Sequence, residues 1–262
     1  MKIEVLISTM FLTDVYSLLE KLNIQTSAII INQCEYEKEE IINYKGNNVI
    51  VCSTRERGIS KSRNYALKKA TGDVLVIADD DFRFEDSYDK LINDCYINNQ
   101  NAEGIIFEIK YKNGKDYRHF PQGRLRKRYK YSVNSTRITI KRSVVVEKNL
   151  RFDEKFGSGS EINCGEDTIF ISDCFRKKII FYSVDNVLCR EIINDRESTW
   201  FKGYDELFFI NKGKVYRRLT PFYLTLIFYY AVKHKKDYSD YTSFFKAIKL
   251  MLIGARKYKK EN

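Results

Sequence analysis

Three short, uninterrupted apolar runs constrain this chain more than any other feature: Ala28–Ile31, Val49–Cys52 and Val74–Ala78. None alternates with polar residues, so a strand built from any of them must be covered on both faces. Helices have to supply that cover, and the segments between the runs provide them. Lys2–Ser8 reads as an opening strand, and Thr13 or Asp14 stands ready to cap a helix bearing Val15, Leu18, Leu19 and Leu22 at helical spacing. Gly58–Ala70 predicts a second helix, entered through Gly58 and capped near Ser60. Thr71-Gly72-Asp73 closes it, with Gly72 suited to a left-handed helix end. Further strands are expected over Gly104–Tyr111, Arg137–Ile140 and Ile179–Val184, and helices over Tyr88–Tyr96 and Glu166–Arg176. The fold class is therefore α/β, with a mostly parallel central sheet.

Composition excludes several alternatives. The 262 residues include only 2 prolines and no proline-rich linker, and no apolar stretch reaches the length that spans a bilayer. Six cysteines form no C-x-x-C pair, and with 2 histidines the chain has little material for a structural zinc site or a histidine-based triad. The opening Met1-Lys2-Ile3-Glu4-Val5 lacks the pattern of a signal peptide, so the expectation is a cytoplasmic protein with reduced thiols. Lys and Arg number 46 against 35 Asp and Glu, a formal balance of +11. The excess gathers in Arg124–Lys130 and the last fifty residues, which favours an anionic partner there. Arg124–Lys130 reads as a solvated loop or as a site for an acceptor phosphate.

In parallel sheets ligands collect at the carboxyl ends of the strands, and Asp79-Asp80-Asp81 follows Val74–Ala78 at such an end. Carboxylates packed this closely repel unless a cation sits among them, and oxygen ligands select Mg²⁺ or Mn²⁺. A polar turn ahead of Tyr88–Tyr96 is the alternative. A second acid pair, Glu166-Asp167, opens a helix behind the small-residue loop Phe156-Gly157-Ser158-Gly159-Ser160. Acids there fit helix capping, and they equally suit a general base beside a loop that admits substrate. Neither a P-loop nor a G-x-G-x-x-G fingerprint is present; a metal-bridged diphosphate, which the acid triplet would supply, stays open.

In order along the chain, Ile7–Phe11, Arg57–Asn64, Ala70–Asp73 with Asp79–Asp81, Phe152–Ser160 and Gly165-Glu166-Asp167 resemble the motifs of the family 2 nucleotide-sugar glycosyltransferases. The resemblance covers roughly residues 1–215. It implies a single Rossmann-like, A-type domain and an inverting, metal-dependent sugar transfer from a nucleoside diphosphate, UDP foremost, to an acceptor hydroxyl. By the same resemblance Thr9, Asn32, Arg63, Asp79 and Asp80 would hold the donor. Asp81 with Asp79 would hold Mn²⁺ or Mg²⁺, and Asp167, with Glu166 beside it, would act as base. Gly157, Ser158, Gly159 and Trp200 would meet the acceptor. Two departures stand out: Asn32-Gln33 replace the acid pair that usually reads the base, and Glu191–Arg196, ahead of Ser198-Thr199-Trp200, hold no histidine.

The domain division expected from sequence is a catalytic part, 1–216, with nucleotide-binding (1–100) and acceptor-binding (101–216) halves, followed by a basic aromatic extension, 217–262. In the extension, Phe244, Phe245, Ile248, Met251 and Leu252 share one helical face and Lys246, Lys249, Arg256, Lys257 and Lys260 the other. Such a helix suits an anionic membrane surface, or packing on its own domain or a sister subunit. The partners expected are thus a nucleotide-sugar donor, a lipid-linked or oligosaccharide acceptor of cell-surface glycan synthesis and the inner face of a membrane, with no nucleic acid. An oligomer is compatible with the sequence. The rival class is a non-catalytic basic module, binding membrane or nucleic acid, on the same scaffold.

Overall fold

The computed structural model describes residues 1–111, 119–129, 133–192 and 203–261. Its centre is a mixed, largely parallel sheet. Strands β1 (Ile3–Met10), β2 (Ser27–Gln33), β4 (Asn47–Thr54) and β5 (Val74–Asp79) run parallel, and β7 (Gly104–Lys110) and β10 (Phe181–Glu191) share their direction. Strand β9 (Ile138–Lys141) is antiparallel between β5 and β7. The order across the sheet is β3-β4-β2-β1-β5-β9-β7-β10-β6, where β3 (Lys38–Tyr44) and β6 (Phe82–Phe84) are antiparallel edges, and β8 (Gly123–Arg124) adds to β10.

The double-sided burial expected of the apolar runs is present residue by residue. Val5, Ile7, Val74 and Val76 face one layer with α1 (Val15–Lys21) and α3 (Tyr88–Asn98). Their neighbours Leu6, Leu75 and Ile77 face the other, with α2 (Ile59–Lys69), α4 (Arg142–Glu147) and α5 (Glu166–Arg176). Asp14 caps α1, accepting from the Ser17 amide at 3.1 Å, a contact typically worth about 1 kcal/mol. Two local expectations are corrected. Ser60 does not cap α2; Gly58 does, without a side chain, and the buried Ser60 hydroxyl donates to the Phe156 carbonyl at 2.6 Å. Gly72 is not left-handed. It is needed because an added Cβ would lie 2.6 Å from that of Glu4, whose carboxylate accepts from the Thr71 and Gly72 amides.

Beyond the sheet lies a helical layer of α6 (Glu206–Leu219), α7 (Tyr223–Lys233), α8 (Lys235–Tyr238) and α9 (Phe244–Glu261). Residue 217, where the sequence suggests a boundary, lies inside α6. The amphipathic character expected of residues 244–260 is real, but its apolar side serves the protein. Ala247, Leu250, Met251 and Ala255 are buried against α6 and α7, while Phe244, Ile248 and Leu252 are half-buried there. Of the face expected to meet a membrane, Phe244, Ile248, Met251 and Leu252 are therefore covered to different degrees while Phe245 stands exposed, because α6 and α9 cross with almost no side chain between them. An added Cβ on Gly213 would lie 1.9 Å from the Met251 carbonyl, and one on Gly254 would lie 1.9 Å from that of Ile210. Among the described residues an apolar face is left open on α7, whose Leu224, Phe228, Tyr229 and Val232 are exposed.

This crossing gives a test in which two effects have opposite signs. Gly→Ala in an ordinary helix interior stabilises by about 0.5–1 kcal/mol. Here Gly254→Ala must push two backbones apart, and overpacking of this kind costs about 1–3 kcal/mol. Differential scanning fluorimetry should show a lower melting temperature for Gly213→Ala and for Gly254→Ala; a rise in either would disprove the close crossing.

Candidate active site

The carboxyl ends of β1, β2, β4 and β5 deliver Thr9, Asn32, Thr54 and Asp79 to one rim of the sheet. The chain turns in opposite directions on either side of β1, and the crevice this leaves lies between β1 and β5. Across it Thr9 Oγ1 donates to Asp80 Oδ2 at 2.7 Å, while Lys21 Nζ donates to the Asp80 carbonyl at 2.9 Å.

The centre of the site is Arg63, carried by α2 and only 4% exposed. Its guanidinium donates to Asp79 Oδ1 at 3.0 Å and to Asp167 Oδ1 at 2.8 Å, with Glu166 at 4.0 Å, and lies 5.2 Å from the Phe152 ring centre. Burial works against that charge, but Asp79, Asp167 and Glu166 outweigh it and raise the arginine above its ordinary value. The next residue, Asn64, faces the 150s segment. Its amide donates to the Phe152 carbonyl and accepts from the Phe152 N–H, so one helical turn both builds the ion pairs and pins the ring beneath them.

Asp167 is held at both oxygens, by Arg63 and by the Ser135 amide at 3.0 Å. Gly165, in a left-handed conformation, occupies the N-cap of α5 without a side-chain bond, so the acids of its first turn look into the site rather than cap the helix. The small residues of 157–159 allow close packing. Ile59 N–H donates to the Ser158 carbonyl at 2.9 Å, and an added Cβ on Gly157 would lie 2.6 Å from Ile59 Cγ2. Asn32 is occupied locally, accepting from the Leu12 amide at 2.9 Å and donating to Ser53 Oγ at 3.3 Å, and the Gln33 side chain accepts from Gly58 N–H. Trp200 lies outside the described residues.

Electrostatically the site carries too many acids for its one arginine. Burial, then the charges of Asp79 and Asp80, pushes Asp81 up to about 7. Burial, then Asp167, pushes Glu166 up to about 7 as well, and burial raises Asp79 despite Arg63. Among the described residues no three His, Cys, Asp or Glu side chains converge as a preformed metal cage. Asp81 nevertheless presents a buried Oδ1 with no hydrogen-bond partner, a donor that fits a hard cation needing one or two carboxylates besides phosphate oxygens. Asp79, by contrast, spends its carboxylate on Arg63. The sequence motifs brought Arg63, Asp79 and Asp167 into view as residues but not as neighbours. They missed Ser135 altogether, because it acts through a backbone amide that leaves no side-chain signal.

The profile described as Glycosyl transferase family 2 matches residues 15–153. Among solved structures, S. aureus TarS 1-349 in complex with UDP-GlcNAc superposes with a TM-score of 0.63 at 14% identity, covering 100% of this chain and 93% of that one. The same fragment in complex with UDP gives a TM-score of 0.58 at 14% identity, over 100% and 92% of the two chains. These likenesses show the fold, a GT-A type sheet with C-terminal helices. A search of curated proteins finds no match.

The raised acids predict a pH dependence. In the folded chain Asp81 and Glu166 hold protons up to about pH 7, whereas unfolded carboxyls release theirs near pH 4. At these two groups the native state therefore binds more protons between those values, and their contribution to stability falls as pH rises from about 4 to about 7. Asp81→Asn and Glu166→Gln remove that loss. In metal-free buffer each variant should melt above the parent at pH 8, with the advantage shrinking toward pH 4.5. Parallel melting curves across this range would contradict the assignment.

Proposed function

The chain belongs to glycosyl transferase family 2, and on that premise we propose that it transfers a sugar of the hexose type from a nucleoside diphosphate, UDP foremost, to an acceptor hydroxyl with inversion. The observation that carries this reading is Arg63, which joins the strand-end acid Asp79 to Asp167 across the crevice. The UDP and UDP-GlcNAc bound by the structural neighbours support the choice of donor.

Each residue has a role in this scheme. Thr9, beside Asp80, flanks the nucleotide at the end of β1, and Asp79 meets the ribose. Asn32, tied to Leu12 and Ser53, shapes the base pocket. Asp81 offers its unpartnered oxygen to Mn²⁺ or Mg²⁺, which when bound neutralises the departing diphosphate. Asp167, oriented by Arg63 and the Ser135 amide, takes the proton of the attacking hydroxyl. Glu166 sits beside it, its carboxyl pushed up to about 7 by burial and then Asp167, and the 157–159 loop borders the acceptor. The acceptor class we assign is a lipid-linked glycan of cell-surface polysaccharide synthesis, reached from the inner face of a membrane. The basic, aromatic helical layer supports this.

Thermal-shift measurements with UDP-, GDP- and CDP-sugars, each with and without Mn²⁺, test the donor, since a ligand of the native state raises the melting temperature. A UDP-sugar should give the largest shift; equal shifts for all three would reject the choice. Asp81→Asn should lose the Mn²⁺-dependent part of that shift, because an amide is a poor ligand for a hard cation. An undiminished Mn²⁺ effect would remove Asp81 from the metal site.

Asp167→Asn separates binding from chemistry. The amide must give up one of its two bonds, since its nitrogen cannot accept from Arg63 or from Ser135 N–H. The donor-induced shift should survive. Release of UDP from the UDP-sugar, with water in place of the acceptor, should fall by about 10²–10⁴. Turnover within twofold of the parent would exclude Asp167 as base.

A further inference from the structure

Among the described residues the helical layer leaves a large apolar face of α7 uncovered. Leu224, Phe228, Tyr229 and Val232 follow one another along α7 at helical spacing and line a shallow groove, each more than half exposed. The face continues beyond the helix. Phe222 at its start is 74% exposed, and across the gap Phe228 meets Phe244, which meets the 81% exposed Phe245 of α9. A contiguous aromatic and aliphatic surface of this kind marks an interaction site rather than scattered exposure.

Its charge selects the partner. Residues 207–236 contain no Asp or Glu and seven Lys or Arg, and residues 217–262 as a whole hold eleven Lys or Arg against three Asp or Glu. At the edge of the face Lys233 lies over the Tyr229 ring, Nζ 5.4 Å from its centre, with its stem on the aromatic surface. Lys235 and Lys236 follow it, both exposed. Two copies meeting through this face would bring two strongly cationic layers together, so self-association is opposed by the same charges that an anionic surface would satisfy. No helix among the described residues is long and apolar enough to cross a membrane. An 11-residue helix with an apolar face and a lysine rim is instead suited to lie in the interface plane.

We propose that the exposed face of α7, continued by Phe222 and Phe245 and rimmed by Lys233, Lys235 and Lys236, is the docking surface of this chain on an anionic lipid bilayer. This deepens the membrane-side reading of the acceptor and rests on it for the acceptor alone. The geometry links the surface to the site. Phe244 touches the α7 face, and Tyr258, further along the same helix, packs on Phe156 at the loop expected to meet the acceptor. At 1.5 Å per residue that stretch of helix spans about 20 Å, a rigid strut between lipid contact and acceptor loop.

The test is flotation of the full chain with vesicles of phosphatidylcholine alone or with 30% (about one lipid in three) phosphatidylglycerol. The parent should bind the anionic vesicles at least tenfold better than neutral ones, and added salt should weaken that binding. The double variant Leu224→Ser, Phe228→Ser should lose at least tenfold of the binding, and Lys233→Gln with Lys235→Gln and Lys236→Gln should abolish the preference for the anionic lipid. Donor-induced thermal shifts should persist in both variants. In the double variant Trp200→Phe, Phe228→Trp, whose only indole is at 228, emission should move to the blue on anionic vesicles, which reads insertion directly even where the serine variant is poorly folded. Absence of vesicle binding by the parent, with its UDP-induced shift intact, overturns the docking surface and leaves the transferase reading standing. Loss of the shift with vesicle binding intact does the reverse. A dimer of the parent in sedimentation that the serine variant converts to monomer overturns the lipid assignment in favour of a second copy.

Discussion

A guanidinium removed from water has to be matched by carboxylates, and Arg63 imposes that condition on everything around it. At 4% exposure it cannot be solvated, so Asp79 from the end of β5 and Asp167 from the start of α5 must both come to it. That requirement fixes where the start of α5 lies relative to the end of β5. Phe152 closes the guanidinium from one side, and its backbone is fixed by Asn64 on the same turn of α2. The adjacency of Arg63 and Asn64 in sequence is thus a mechanical pairing: one side chain builds the site, and the other clamps the segment it rests on. Leaving either carboxylate without Arg63 would strand a half-buried charge, so the ion pairs act as one unit.

How much of this was legible in the sequence follows from what kind of signal each part leaves. Val74–Ala78 and the acids after it were readable because continuous burial and a strand end are both local patterns. Strand β3 was missed for the opposite reason. Lys38–Tyr44 has its polar residues in contact with water at the sheet edge, and nothing apolar and continuous announces it. The residues of the site were nameable, but Arg63 lies 16 positions from Asp79 and 104 from Asp167, and no spacing rule predicts such contacts. The α9 helix shows the limit most clearly. Its amphipathic pattern established that one face is apolar, but a pattern on one helix carries no information about what covers it. The glycines of α6 and α9 decided that in favour of the protein's own layer.

The helical layer also supports the chemistry. Val215 of α6 sits against Gly165, so that an added Cβ there would lie 2.6 Å from its methyl. Phe156, Ile162, Ile169, Val215 and Leu219 form a small core of their own between this layer and the turn leading to Asp167. With Tyr258 against Phe156, both α6 and α9 reach the loop that precedes the acid pair. The position of Asp167 is consequently set from two sides: Arg63 and Ser135 at its oxygens, and the helical layer behind its backbone. Coupling between the C-terminal segment and the site needs no further device than this shared packing.

The acids that Arg63 does not neutralise give the site its purpose. Asp81 and Glu166 hold their protons to about pH 7 because ionising them would add charge to a buried cluster already occupied by Asp79, Asp80 and Asp167. A protein selected only for stability would not keep such a cluster, since exchanging one of these acids for its amide relieves the repulsion. Retaining it is consistent with a ligand that brings positive charge with it. A diphosphate carried with a divalent cation does so, and its binding would let Asp81 ionise and take up the cation with the oxygen that otherwise has no partner.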